Sequence, residues 1–258
     1  MSDAPRQGSL SAQWSASSGT ASSSVLLVQD LYAGYGAHTV LRGITIEVRA
    51  GAITGLLGPN GHGKTTLLRC ASGLIKPKRG RIEFKGCELT GRQPEWIAAQ
   101  GLGQVPQGDM LFGQMSVQDN LLMGAYLAPA WAQREANLCR VFALFPRLQE
   151  RLQQSAGTLS GGERRMLSIG RGLMSCAELL MIDEPSLGLA PKVIEDIYVA
   201  IVRLADEGMP ILLVEESVER VAEVCRQVYL LDDGLIRWQG TAAELDGNAE
   251  LISTYLGS

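Results

Sequence analysis

Hydrophobic and polar positions follow two different periods along this chain. Ile44, Ile46 and Val48 alternate with Thr45, Glu47 and Arg49, which predicts a half-buried strand. Val25 to Asp30 predicts a short strand before it. Ala50-Gly51 makes a turn, and the run Ile53-Thr54-Gly55-Leu56-Leu57 predicts a buried strand. A helix is expected over Lys64 to Leu74, then the basic turn Lys76 to Gly80 and a strand over Arg81 to Lys85. From about Gln93 to Met174 the pattern turns helical. Beyond it, apolar strands at Leu179 to Ile182 and Ile211 to Val214 alternate with helical patterns over Pro191 to Asp206 and Val218 to Cys225. That alternation is the mark of parallel β-α-β units, so the fold class is α/β. Asp232-Asp233-Gly234, flanked by Tyr229-Leu230-Leu231 and Leu235 to Trp238, predicts a hairpin.

Composition narrows the picture. Residues 1–24 are mostly Ser, Ala, Gly, Gln and Thr with no apolar h-region, so they are expected to be a disordered tail rather than a secretory signal. Order is expected from residue 25 to 258. A chain of 258 residues that is 46% hydrophobic can build one large core or two small ones. A net charge of −4 argues against a nucleic-acid partner, whose footprint is a basic patch. The five cysteines are scattered with no C-x-x-C pair, which suggests neither zinc nor disulfides and points to a reducing cytosol. No apolar run reaches the roughly 18 residues of a spanning helix. The best stretch, Leu121 to Ala132, is interrupted by Gly124 and Pro129. If the protein works at a membrane, another chain must supply the anchor.

Candidate chemistry begins at Gly58-Pro59-Asn60-Gly61-His62-Gly63-Lys64-Thr65, which fits G-x-x-x-x-G-K-[ST] between a predicted strand and helix. In such a loop Gly58, Gly61 and Gly63 let main-chain N–H groups, with that of Asn60, turn toward phosphate oxygens. The helix N-terminus, here Lys64, Thr65 and Thr66, adds its positive end. Lys64 is placed for the β- and γ-phosphates and the Thr65 hydroxyl for Mg²⁺, so a nucleoside triphosphate with Mg²⁺ is the expected ligand. His62 fills a variable position of the loop. The apolar strand Leu179 to Ile182 runs into Asp183-Glu184. Ligands of open α/β sheets sit beyond the carboxyl ends of strands. Asp183 is therefore a candidate Mg²⁺ ligand and Glu184 a candidate general base.

Leu159-Ser160-Gly161-Gly162-Glu163 admits two compatible readings. Ser160 and Glu163 have the S-x-x-E spacing of a capping box, and the Gly161-Gly162 helix start is also an anion site. Here the sequence resembles the ABC ATPases, whose signature is LSGG[QE]. The resemblance covers about residues 25–255 and implies a P-loop NTPase of the ABC ATPase type, with an antiparallel β-subdomain and an inserted helical subdomain at about 93–174. It implies ATP with Mg²⁺ as ligands, Tyr35 as the aromatic that stacks on adenine, and Gln107 as the glutamine that senses Mg²⁺ and the transport partner. Ser160, Gly161 and Gly162 would close over the γ-phosphate held by a second ABC ATPase subunit, identical or paralogous. Ser186 to Ala190 matches the D-loop, with Ala190 where many members carry Asp.

Leu144 to Leu148, Gly157 to Leu167 and Pro185 to Pro191 resemble the ATPase subunits of branched-chain (hydrophobic) amino acid importers. Urea and amide importers share much of this pattern. The implied partners are transmembrane permease subunits and a substrate-binding protein, with no nucleic acid. The implied location is cytoplasmic, on the inner face of the cell membrane. Residues Gly108 to Met115 either line the groove for the permease or belong to the subdomain core. One position departs from the family: after Ile211 to Val214 the switch histidine is replaced by Glu216. A carboxylate beside Glu184 and the γ-phosphate is unfavourable unless it is protonated, turned away or bridged by a cation. Glu216 therefore either modulates hydrolysis, leaving a module with little turnover as one reading, or faces solvent.

Overall fold

The computed structural model describes residues 24–255. The tail expected over 1–24 lies outside them except for Ser24, which pairs with Arg49 in a strand. The chain opens with β1 (Ser24–Tyr35) and β2 (His38–Arg49), then β3 (Ile53–Leu57), α1 (Lys64–Ala71), β4 (Arg79–Phe84) and β5 (Cys87–Glu88). Next come α2 (Pro94–Ala99), β6 (Leu102–Val105), α3 (Val117–Gly124), α4 (Ala128–Ala132), α5 (Arg134–Leu144), α6 (Pro146–Glu150) and α7 (Gly161–Leu173). The chain continues through β7 (Leu179–Asp183), α8 (Pro191–Asp206), β8 (Ile211–Glu215), α9 (Val218–Val224), β9 (Gln227–Asp232) and β10 (Leu235–Thr241). Helices α10 (Ala242–Asp246) and α11 (Ala249–Tyr255) close the described residues.

Two sheets form. The smaller is antiparallel, ordered β2-β1-β4-β5. The larger is ordered β10-β9-β3-β8-β7-β6, parallel except for the β9–β10 hairpin. Strands β3, β7 and β8 are buried along their whole length, as their unbroken apolar runs require. Their alternate residues feed two cores. Leu180, Ile182 and Leu213 join the helical segment through Leu121, Val141 and Leu148. Leu179, Met181 and Val214 join the small sheet and α1 through Ile46, Phe84 and Leu67. The large sheet is thus a middle layer between a helical layer and an antiparallel β layer.

Three expectations change. The stretch from about 93 to 174 is not helical throughout, because Leu102–Val105 is an edge strand of the large sheet, paired parallel to β7. The first strand runs past Asp30 to Tyr35, with register shifts between Val28 and Tyr32 where Asp30 adopts φ +46°. Helix α1 stops at Ala71 rather than Leu74, since Gly73 takes φ +77° and breaks the ladder.

The parallel register positions the chemistry. Leu57 stands opposite Glu215, and Asp183 opposite Val214. The segments leaving β3, β7 and β8 therefore emerge side by side at the carboxyl ends of these strands, where the strand order switches direction around β3.

Candidate active site

The segment after β3 turns back on itself to start α1. Gly63, the residue before that helix, has φ +111°, and a Cβ there would lie 2.7 Å from Leu41 Cδ2. A Cβ on Gly58 would stand 2.1 Å from the carbonyl oxygen of Leu231, so the loop hugs the end of β9. His62 makes the same connection: its Nδ1 accepts from the Asp233 N–H at 3.0 Å and lies 2.8 Å from Asp232 Oδ1. The variable loop position is thus a strut between the phosphate loop and the β9–β10 turn.

Lys64 is buried under this loop, and its donors are all committed. Nζ donates to Gly58 O at 2.7 Å and Pro59 O at 3.1 Å, and lies 3.2 Å from Glu184 Oε1 and 3.6 Å from Glu216 Oε1. Thr65 Oγ1 donates to Asp183 Oδ2 at 3.0 Å, while Asp183 Oδ1 is buried with no hydrogen-bond partner among the described residues. Thr66 is buried in the first turn of α1. Gly61 holds φ +83°, and Asn60 is the exposed tip beside it. Tyr35, at the end of β1, is half exposed, and its hydroxyl accepts from Arg69 Nη1 of α1 at 3.0 Å.

Glu184 takes φ +45°, unusual for a residue with a side chain. Its N–H donates to Val214 O at 2.9 Å, and Gln107 Nε2 donates to its Oε2 at 2.7 Å. Burial pushes the Glu184 carboxyl up from its ordinary value. Glu216 and Asp183 add to that shift by like-charge repulsion, while Lys64 opposes it. Burial also raises Asp183, against the Thr65 hydrogen bond and the charge of Lys64. Glu216 is turned toward the site, with Lys64 between it and Glu184; its side chain is 38% exposed.

Ser160 caps α7 in a full capping box: its hydroxyl accepts from Glu163 N, and Glu163 Oε2 accepts from Ser160 N at 3.0 Å. Arg151 steadies Glu163 from the side at 2.8 Å. The box and the Gly161-Gly162 start coexist. Gly161 borders a cavity of about 400 Å³ together with Gln107, Asp109, Arg164 and the D-loop residues Leu187 to Leu189. The fold thus brings Lys64, Thr65, Gln107, Asp183, Glu184 and Glu216 together. The hydrogen bonds of Ser160 among the described residues are to Glu163 and to the Arg164 N–H, within its own helix.

A family model described as ABC transporter matches residues 41–187, more than half of the chain. This chain belongs to the ABC transporter family. Among relatives of this ABC ATPase, the high-affinity branched-chain amino acid transport ATP-binding protein BraG of Pseudomonas aeruginosa is 40% identical over 223 residues, spanning 86% of this chain and 95% of BraG. The probable branched-chain amino acid transport ATP-binding protein LivF of Archaeoglobus fulgidus is 37% identical over 216 residues, 83% of this chain and 91% of LivF. A solved nucleotide-free ATP-binding cassette from an ABC transporter superposes with a TM-score of 0.78 at 26% identity, covering 89% of this chain and 96% of that one. The mixed α/β fold with its antiparallel and parallel sheets is that of the ABC cassettes.

Three residues at the site escaped sequence reasoning. Glu215 is buried and accepts from the Tyr198 hydroxyl at 2.6 Å and the Ser186 N–H at 3.3 Å, which ties the D-loop to β8. Its one visible signal was its place at the end of an apolar strand. Arg165 and Asp109, which link α7 to the Gln107 segment, gave no local signal at all.

Proposed function

We propose that this ABC ATPase binds ATP with Mg²⁺ between its phosphate loop and the carboxylates Asp183 and Glu184, and that its turnover drives an importer for branched-chain or other hydrophobic amino acids. The observation that carries the site reading is Lys64: a buried ammonium held by two loop carbonyls and two carboxylates. A buried cation so placed is matched to an anionic ligand. The γ-phosphate of ATP takes over its donors and frees Glu184 Oε1 to accept a proton from water. A carboxylate whose affinity for protons has been raised by burial suits the role of base. The Gln107 amide holds the other carboxylate oxygen and so fixes the orientation of the base.

The residues fit a divalent cation. Asp183 Oδ1 is a buried oxygen without a hydrogen-bond partner among the described residues, and Thr65 places a hydroxyl on the other oxygen of the same carboxylate. One carboxylate and one hydroxyl suit Mg²⁺, which Asp183 and Thr65 would hold, with Gln107 as a further protein group toward it. When bound, the cation neutralises charge on the β- and γ-phosphate oxygens. Tyr35 offers its ring to adenine, and the main chain of Gly58, Asn60, Gly61, Gly63 and Thr66 cradles the phosphates.

Ser160, Gly161 and Gly162 act in this proposal on the nucleotide of a second ATPase subunit. Met110, Phe112, Met123, Tyr126 and Trp131 are large apolar side chains left exposed around α3 and α4. They suit a permease, since clustered exposed apolar groups mark interaction surfaces. No helix among the described residues is long and apolar enough to cross a membrane. The permease therefore supplies the anchor on the inner face of the cell membrane, and a substrate-binding protein delivers the cargo. Glu216 beside Lys64 favours a second reading in which ATP is bound but turned over slowly.

The test is uptake by the complete transporter, purified with its permease and reconstituted into vesicles. ATP-dependent uptake of leucine, without uptake of urea, is the expected result. Uptake of urea or an amide in place of leucine overturns the substrate, and nucleotide binding without transport or hydrolysis overturns the motor.

A further inference from the structure

Arg165 lies five residues into α7, yet its side chain is buried, an uncommon place for an arginine. Its fork serves two segments far apart in the chain. Nη1 donates to Pro106 O at 3.0 Å and lies 3.5 Å from Asp109 Oδ1. Nη2 donates to Asp183 O at 3.2 Å and to Glu184 O at 2.6 Å. Burial makes the guanidinium's charge costly, and Asp109, Asp183, Glu215 and Glu184 around it work to keep it charged. Arginine keeps its charge and its rigid fork under such conditions, which lysine does not.

The two segments it holds are both strained. Glu184 is left-handed at φ +45°, with its N–H tied to Val214 and its carbonyl tied to Arg165. Gly108, Asp109 and Met110 are left-handed in succession at φ +77°, +62° and +47°. Helix α7 clamps that turn as well, because Ser168 Oγ and Arg171 Nη2 both donate to Asp109 O, at 3.0 and 3.1 Å. Conformations of this kind persist only where the surroundings over-determine them.

We infer that Arg165 is a positioning residue that sets the Gln107–Glu184 pair. It grips the carbonyl immediately before Gln107 and the carbonyl of Glu184 itself, so the 2.7 Å contact between their side chains depends on it. Because Ser160 caps the start of the same helix, any displacement of that helix start is delivered to both members of the pair at once. This inference rests on the reading of Glu184 as the base.

The test compares Arg165→Lys and Arg165→Gln with the parent, each in the complete transporter. Arg165→Lys keeps a cation but cannot span three carbonyls. It should lower kcat by about tenfold or more, the size expected when a charged hydrogen bond is lost, with KM for ATP and the affinity for a fluorescent ATP analogue within about twofold. Arg165→Gln should lower kcat further. In the Glu184→Gln background, Arg165→Lys should cause no additional loss, because the pair it positions no longer works. A fall in analogue affinity and thermal midpoint in proportion to kcat makes Arg165 merely structural and overturns the inference. Additive losses in the double variant overturn it too. Should Arg165→Gln fail to fold, the Arg165→Lys kcat-to-KM split and the double-variant comparison still decide. Wild-type turnover by Glu184→Gln alone would instead overturn the base itself, and that result is read without any Arg165 variant.

Discussion

Replacing Glu216 by glutamine removes one negative charge and little volume from a site where a single ammonium is shared by two carboxylates. Glu216 Oε1 lies 3.6 Å from Lys64 Nζ. Two unit charges at that distance attract by about 5 kcal/mol at an effective dielectric near 20 and by about 1 kcal/mol in water. With the Glu216 side chain 38% exposed, the water-like limit is the better guide, and screening leaves about 1–2 kcal/mol. That attraction stabilises the empty site and is lost when the γ-phosphate claims Lys64. The same carboxylate then faces the phosphate with like charge. Glu216→Gln should therefore tighten ATP about fivefold, with a smaller gain for ADP, which has no γ-phosphate. Glu216→His should restore a favourable contact and raise turnover by about tenfold, which needs about 1.4 kcal/mol off the barrier. A pH effect accompanies this. Glu216 helps push the Glu184 carboxyl up, so its removal lets Glu184 deprotonate at lower pH. A base must be deprotonated to act, so the acid limb of kcat should move to lower pH. The assay is equilibrium titration with fluorescent ATP and ADP analogues, then turnover against pH in the complete transporter with its natural partner ATPase. If the ATP-to-ADP affinity ratio, the rate and the acid limb are all unchanged in both variants, the charge competition at Lys64 is wrong.

Two further predictions follow from the carboxylate and the signature. Asp183→Asn should raise the thermal midpoint of the nucleotide-free protein, since it removes a negative charge that burial disfavours. Because the folded-state affinity of Asp183 for its proton is raised, its contribution to stability is full below the ordinary carboxyl pKa and is lost as pH rises through the raised value. The gain from Asp183→Asn should thus vanish in acid, and calorimetry across pH checks both points; an equal gain at every pH refutes the reasoning. Ser160→Arg should abolish hydrolysis while the isolated subunit still binds ATP, because among the described residues the hydrogen bonds of Ser160 are to Glu163 and Arg164 of its own helix. Loss of ATP binding by the isolated variant would favour a purely structural capping role.

Much of the frame was legible because it was written in local periods. Ile53–Leu57 and Ile211–Glu215 are apolar enough to declare buried strands, and Pro191 marks the start of α8 as the first-turn preference of proline predicts. Leu102–Val105 was hidden because four residues, one of them glycine, are too few to show a period against a long helical stretch. Its strand character comes from pairing with β7, a tertiary fact. The same division runs through the site. The phosphate loop, Asp183-Glu184 and Leu159 to Glu163 carry local patterns. Arg165 and Asp109 are ordinary charges on an ordinary helix and turn until the fold sets them against Pro106, Asp183 and Glu184. The direction taken by Glu216 was likewise beyond the sequence, since it depends on Lys64 reaching up beneath the loop from α1.

The central claim is that Glu184 is the base for ATP hydrolysis at a site built on Lys64, Thr65 and Asp183. It is tested most directly by measuring ATP binding, turnover and oligomeric state of Glu184→Gln in one preparation with Mg²⁺. Glutamine keeps the shape and the contact to Gln107 while losing the proton acceptor. The account predicts ATP bound at least as tightly as by the parent, turnover reduced by a factor of about a hundred or more, and an ATP-dependent dimer that persists because its nucleotide is not consumed. Hydrolysis by Glu184→Gln at the parent rate would contradict it.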